Sequence, residues 1–216
     1  MENVRLSDLY EQLMRCRIIL FCGEVNENSE ADALARLLVL NNEDPITPIR
    51  LMISSYGGDA CSCWSLVDCI QDNIAAPVFG FVTGKSMSAG AAIMCACDAC
   101  YVYPRAEIMV HQVQSQLKGS LPDMQKKIKD LENSTEKYLD IISKKTGMSI
   151  PELKKRTQDD WNLSAEEAIR LKFCDGYAPK FKNEENVLIQ KAEFESSIYW
   201  KKANKDLAKI RKSKSN

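Results

Sequence analysis

Three apolar runs, each closed by glycine and followed by residues at helical spacing, constrain this chain more than anything else in it. Arg17-Ile18-Ile19-Leu20-Phe21 is a short buried-strand run ended by Gly23. Ile49 to Ile53 alternates as a second strand and ends in the turn Ser54-Ser55-Tyr56-Gly57-Gly58. Pro77 to Val82 is a third, ended by Gly84. Between and after them lie helical stretches. Residues 29–41 place Ala31, Leu34, Leu37 and Leu38 on one face before the Asn41-Asn42 stop, residues 60–74 read as a helix, and Ser88 to Cys97 is a helix of small residues. Strands alternating with helices in this way predict an α/β domain. Tyr101-Val102-Tyr103 and Ile108-Met109-Val110 add two strand candidates.

After His111 the pattern turns helical. Ser120-Leu121-Pro122-Asp123 has a cap residue, an early proline and an acid three residues on, the signature of a helix start. The amphipathic helix that follows, over about 120–146, carries Met124, Ile128, Leu131, Tyr138, Leu139 and Ile142 as its apolar points and stops at Gly147. Ser149-Ile150-Pro151-Glu152 opens a short helix, and the Ser164-Ala165-Glu166-Glu167 capping box opens another.

The chain has 216 residues, enough for one domain with some length to spare. Hydrophobic residues are 45% and charged residues 27%, which excludes a mainly disordered chain, and no apolar run reaches the ~18–20 residues of a membrane helix. A net charge of −1 gives no global argument for nucleic acid or a membrane surface. Residues 191–216 are the exception, with eight Lys or Arg against three acids. That tail reads as a fraying, solvated helix or as a contact for RNA or an acidic partner. Met1-Glu2-Asn3-Val4-Arg5 lacks the apolar core of a signal peptide and is too acidic for a transit peptide. The nine cysteines are odd in number, and Cys95, Cys97 and Cys100 fall in or beside an apolar helical run in a chain with one histidine. Core thiols in a reducing cytosol fit this usage better than disulfides or a metal cluster.

Three features carry chemistry. Gly84 to Ala92 places serines at a strand-to-helix turn, where glycine lets backbone N–H groups approach a ligand and a helix N-terminus stabilises a developing oxyanion. The same stretch also reads as a tight turn with a capping serine. His111 closes an apolar strand beside Gln112; it is either structural or the general base a serine needs. Asp159-Asp160-Trp161 is either an exposed acidic loop or the carboxylate that orients an imidazole.

Taken together, these segments resemble the proteolytic subunit of the Clp protease, a family of cylinder-forming serine peptidases, over about residues 7–178. Asp8-Leu9-Tyr10, Arg17-Ile18-Ile19 and Gly23 are similar to its opening helix and first strand. Ile53 to Gly58 is similar to its glycine-pair turn, with Tyr56 where proline is usual. Gly84 to Ala91 resembles the nucleophile segment, Met109-Val110-His111-Gln112 the histidine strand, and Thr157 to Ala168 the aspartate segment. His111 and Asp160 stand 49 residues apart, as the family spacing requires.

The resemblance implies a ClpP/crotonase-like α/β fold, with stacked ββα units as a head domain over residues 1–180 and a long handle helix. Residues 181–216 form a basic extension outside it. It implies Ser88 as nucleophile, His111 as general base and acid, Asp160 as orienting carboxylate, and the N–H groups of Gly58 and Ala89 as oxyanion hole. An extended peptide would add as a strand between Gly57-Gly58-Asp59-Ala60 and Gln112-Val113-Gln114. It further implies seven-subunit rings stacked in pairs, no metal or cofactor in this subunit, and ATP used only by a partner AAA+ unfoldase that delivers unfolded protein. The short N-terminus implies a missing or reduced axial-pore loop. Ser86 rivals Ser88 as nucleophile; Ser88 keeps the glycine register and precedes Gly90, at the cost of about two residues trimmed near Cys97–Tyr101. The alternatives are a catalytically degenerate ring subunit, or a crotonase-like enzyme of acyl-CoA thioesters, which shares the oxyanion hole but has no need of His111 and Asp160.

Overall fold

The computed structural model describes residues 6–116 and 118–179. The extension expected over 181–216 lies outside the described residues. After α1 (Leu6–Arg15) come three strand–helix units: β1 (Ile18–Val25) with α2 (Glu27–Glu43), β2 (Ile49–Gly58) with α3 (Ala60–Asp68), and β3 (Val78–Met87) with α4 (Ala89–Ala96). Then follow β4 (Ala99–Val102), β5 (Glu107–Val110), α5 (Leu121–Thr146), α6 (Ile150–Arg156), β6 (Trp161–Ser164), α7 (Ala165–Arg170) and β7 (Gly176–Tyr177). This is the mixed α/β architecture expected from the sequence.

The sheet runs β1-β2-β3-β4-β7, and β1 through β4 pair in parallel. β3 is shared. Its first half, Phe79 to Val82, pairs with β4, and its second half, Lys85 to Met87, pairs with β5. β6 then joins β5 in the antiparallel sense.

Every residue of α4 is buried. Its small side chains (Ala89, Gly90, Ala91, Ala92) are what allow a helix to sit in the centre of the molecule, against β2, α3, β3 and α5. A Cβ on Gly90 would lie 3.2 Å from Cβ of Ser55, so the helix rides directly on β2. A smaller apolar cluster, with Phe79, Phe81 and Ala99 packed beside Tyr101, lies apart from this main core.

Two expectations need correction. Gly23 and Gly84 do not end their strands, since β1 and β3 run on to Val25 and Met87; the second strand does end at Gly58, but Ser54 to Gly58, expected as a turn, belongs to β2 itself. The pairing instead shifts register between Gly23 and Glu24 and between Ile53 and Ser55, so these segments hold irregularities inside longer strands, a usual place for glycine. The helix expected over 60–74 is also not uniform: after Asp68 it widens into a π-helical turn over Cys69–Asn73.

The caps fall where the sequence places them. Ser120 and Asp123 form a reciprocal capping box, Gly147 closes α5 at φ 77°, and Ser164 and Glu167 form a second box. Six cysteines are buried and Cys16, Cys22 and Cys61 are exposed. Burial pushes the Cys97 thiol up to about 12, and Cys95 and Cys100 rise for the same reason, so these groups behave as neutral core side chains.

Candidate active site

Ser88 occupies the single residue between β3 and α4, with φ 51° and ψ −122°. Only glycine adopts positive φ without penalty, and a serine held there costs about 1–3 kcal/mol. The surroundings impose it. The Ser88 N–H donates to the Met109 carbonyl at 2.8 Å, and its own carbonyl accepts from the Ala91 N–H at 2.9 Å in the first turn of α4. Gly57 lies against the same turn: a Cβ there would stand 2.7 Å from both the Met87 carbonyl oxygen and Cβ of Ser88. Gly58, at φ 147°, has no room either, because its Cβ would run into the Val25 carbonyl. The glycine pair is therefore the floor on which the serine turn rests.

Ser86 is placed quite differently. It is fully buried inside β3, opposite Ser55 on β2 and Ile108 on β5, and its hydroxyl has no hydrogen-bond partner. Only Cys97 and Asp98 connect α4 to β4.

Strand register brings the remaining groups to Ser88. β3 and β5 are parallel with Met87 opposite Met109, so both strands end at one edge. β6 is antiparallel to β5 with Val110 opposite Trp161, so its beginning lies at that same edge. Ser88, His111 and Asp160 are the residues next to those three strand ends. His111 Nδ1 is 3.6 Å from Asp160 Oδ1; the imidazole side chain is 15% exposed and the carboxylate 59%. That gap is longer than a hydrogen bond, and the buried Nδ1 has no other partner, so a carboxylate shift of ~0.8 Å would complete the pair. Trp161, in edge contact with Phe173 and under the Arg156 guanidinium, holds the start of β6 in place.

Ser88 and His111 face a cleft of about 650 Å³. Of the residues expected at the site, Ser88, Ala89 and His111 line it, together with Gly58, Asp59, Ala60, Val113 and Gln114. Asp160 stands behind His111, Gly57 lies beneath the serine turn, and the Gln112 amide donates to the Lys154 carbonyl at 3.2 Å, away from the others. Ala89 is the first residue of α4, a position whose N–H has no partner within its own helix.

A family model for Clp protease matches residues 1–178. The chain belongs to the Clp protease family. The match spans every described element.

Other cleft residues were not singled out by the sequence. Cys63 and Trp64 of α3 and Leu131 and Tyr138 of α5 form its apolar wall. Cys63 Sγ donates to the Ala89 carbonyl at 3.3 Å, and burial, reinforced by Asp59 and Asp68, pushes its thiol up to about 12. Periodicity marks Leu131 and Tyr138 as apolar points of a helix but does not say that they face a site. Among the described residues, no group of three or more His, Cys, Asp or Glu side chains is arranged to hold a metal, and no helix is long and apolar enough to cross a membrane.

Proposed function

We propose that this chain is a serine endopeptidase subunit of a Clp-type protease, with Ser88 as nucleophile. The observation that carries the reading is the convergence of three strand ends: β3, β5 and β6 bring Ser88, His111 and Asp160 to one edge of the sheet. Ser88 Oγ attacks the scissile carbonyl carbon, and His111 takes its proton as the Oγ–C bond forms. The N–H groups of Gly58 and Ala89 receive the oxyanion. Collapse of the tetrahedral intermediate breaks the C–N bond, His111 gives its proton to the leaving amine, and water, activated by the same imidazole, hydrolyses the acyl-enzyme. Asp160 fixes the tautomer of His111 and stabilises its cation. The substrate lies extended between Gly58-Asp59-Ala60 and Val113-Gln114, which line the cleft together with the serine.

Seven-subunit rings, stacked in pairs through α5, would enclose the sites, and a partner unfoldase would spend ATP to deliver unfolded chains. This subunit itself would use no cofactor, and its buried free thiols suit a reducing cytoplasm. A ring subunit without chemistry has no use for a serine held at φ 51°, which weighs against the degenerate reading.

Fluorophosphonate labelling followed by peptide mass mapping tests the proposal. Labelling of Ser88 in the wild-type protein, lost in Ser88→Ala, supports it. No labelling in protein that assembles into rings by light scattering overturns it.

A further inference from the structure

The hydroxyl of Tyr138 has no evident role in packing, since an apolar side chain would fill the same space. The residue is 3% exposed, and its Oη lies 3.0 Å from the main-chain carbonyl oxygen of Ser88. A carbonyl only accepts, so the phenol is the donor. The contact joins α5 to the strained turn across 50 positions in sequence.

The peptide unit that carries this carbonyl also carries the Ala89 N–H. The unit is planar and trans, so fixing the direction of the Ser88 C=O fixes the direction of the Ala89 N–H on its opposite side. Hydrogen bonding to the oxygen of an amide also makes its N–H a stronger donor. Ala91 N–H approaches the same oxygen from within α4, and Tyr138 supplies a donor from outside the helix. On the other side of the residue, Cys63 Sγ donates to the Ala89 carbonyl, so the two peptide units flanking Ala89 are both held by side chains.

We propose that Tyr138 is a positioning residue: through its hydrogen bond to the Ser88 carbonyl it aims and polarises the Ala89 N–H that receives the oxyanion. The inference rests on the serine-peptidase reading above. Burial, aided by Cys95 and Cys63, holds the phenol well above its usual range, so it remains a donor throughout the working pH of such an enzyme.

Tyr138→Phe keeps the ring and removes only the donor. Losing an oxyanion donor outright costs roughly 10²–10³ in kcat, so a donor left in place but poorly aimed should cost about tenfold. The expected result is a fall in kcat and in the rate of Ser88 labelling by about that factor, with KM within about twofold. Affinity for a peptide boronate, whose tetrahedral adduct places an oxygen in the oxyanion hole, should fall in parallel with kcat. A purely structural role would not produce that parallel. Tyr138→Met fills the space with a different apolar shape and should reproduce the loss, which separates the donor from the ring. The proposal is overturned if Tyr138→Phe labels and binds boronate within about twofold of wild type, or if KM rises while kcat holds. A wild-type protein that does not label at Ser88 overturns the peptidase reading and this inference with it; a labelled wild type with an unaffected Phe variant overturns this inference alone.

Discussion

Removing the hydroxyl of Ser86 should stabilise the protein and leave its chemistry intact, whereas removing that of Ser88 should abolish the chemistry and leave stability almost unchanged. The Ser86 hydroxyl is buried in β3 with no partner, and a buried unpaired polar group costs about 1–3 kcal/mol. Ser86→Ala recovers that cost. It also leaves a void of roughly one oxygen atom, which gives back about 0.5 kcal/mol at the usual price per unit of cavity volume. The net expectation is a gain of about 1 kcal/mol, or a Tm higher by about 2–4 °C for a chain of this size. Ser88→Ala, by contrast, keeps a Cβ at φ 51° and so keeps the strain; its stability should stay within about 0.5 kcal/mol of wild type while fluorophosphonate labelling disappears. Thermal unfolding followed by circular dichroism, run beside the labelling assay, reads both. A Ser86→Ala protein destabilised by more than about 1 kcal/mol would show that its hydroxyl is paired. Loss of labelling in that variant would move the nucleophile two residues upstream and refute the register argued from the strand ends.

Gly57→Ala should abolish labelling and destabilise the fold by about 2 kcal/mol or more in urea unfolding, because a Cβ at φ 91° would press on the Met87 carbonyl and on Cβ of Ser88. Asp160→Asn should lower kcat by about 10²–10⁴ with little change in fold, since the His111 Nδ1 site faces no other carboxylate among the described residues; peptide hydrolysis measured beside circular dichroism checks it. Iodoacetamide applied to the native protein at about pH 8 should modify Cys16, Cys22 and Cys61 alone, because the other six thiols are buried out of its reach; peptide mapping reads the sites directly.

What was legible in the sequence was the local chemistry. Ser120 with Asp123, Ser164 with Glu167, and Gly147 each act within a few residues of themselves, so their pattern is visible without the fold. Gly23 and Gly84 read as strand ends, and are not, for a reason of the same kind. Glycine marks both turns and strand irregularities, and only pairing with a neighbour decides between them. Strand β6 escaped notice because its four residues are held by pairing with β5, while the sequence shows only a short mixed segment after two aspartates. Spacing and family resemblance single out His111 and Asp160, but what places them together is the register Val110 to Trp161, which a single sequence does not display. Tyr138 was legible as a buried helix position; the direction of its hydroxyl was not.

The backbone at Ser88 has a consequence for how such a chain changes over generations. Where the serine codon is of the AGY type, one nucleotide substitution converts it to glycine. At φ 51° that change relieves strain as it removes the hydroxyl. Mutational drift at this position thus runs downhill in energy toward a better-folded protein that lacks this hydroxyl. A serine kept there against that slope is what a lineage retains while it has a use for the hydroxyl.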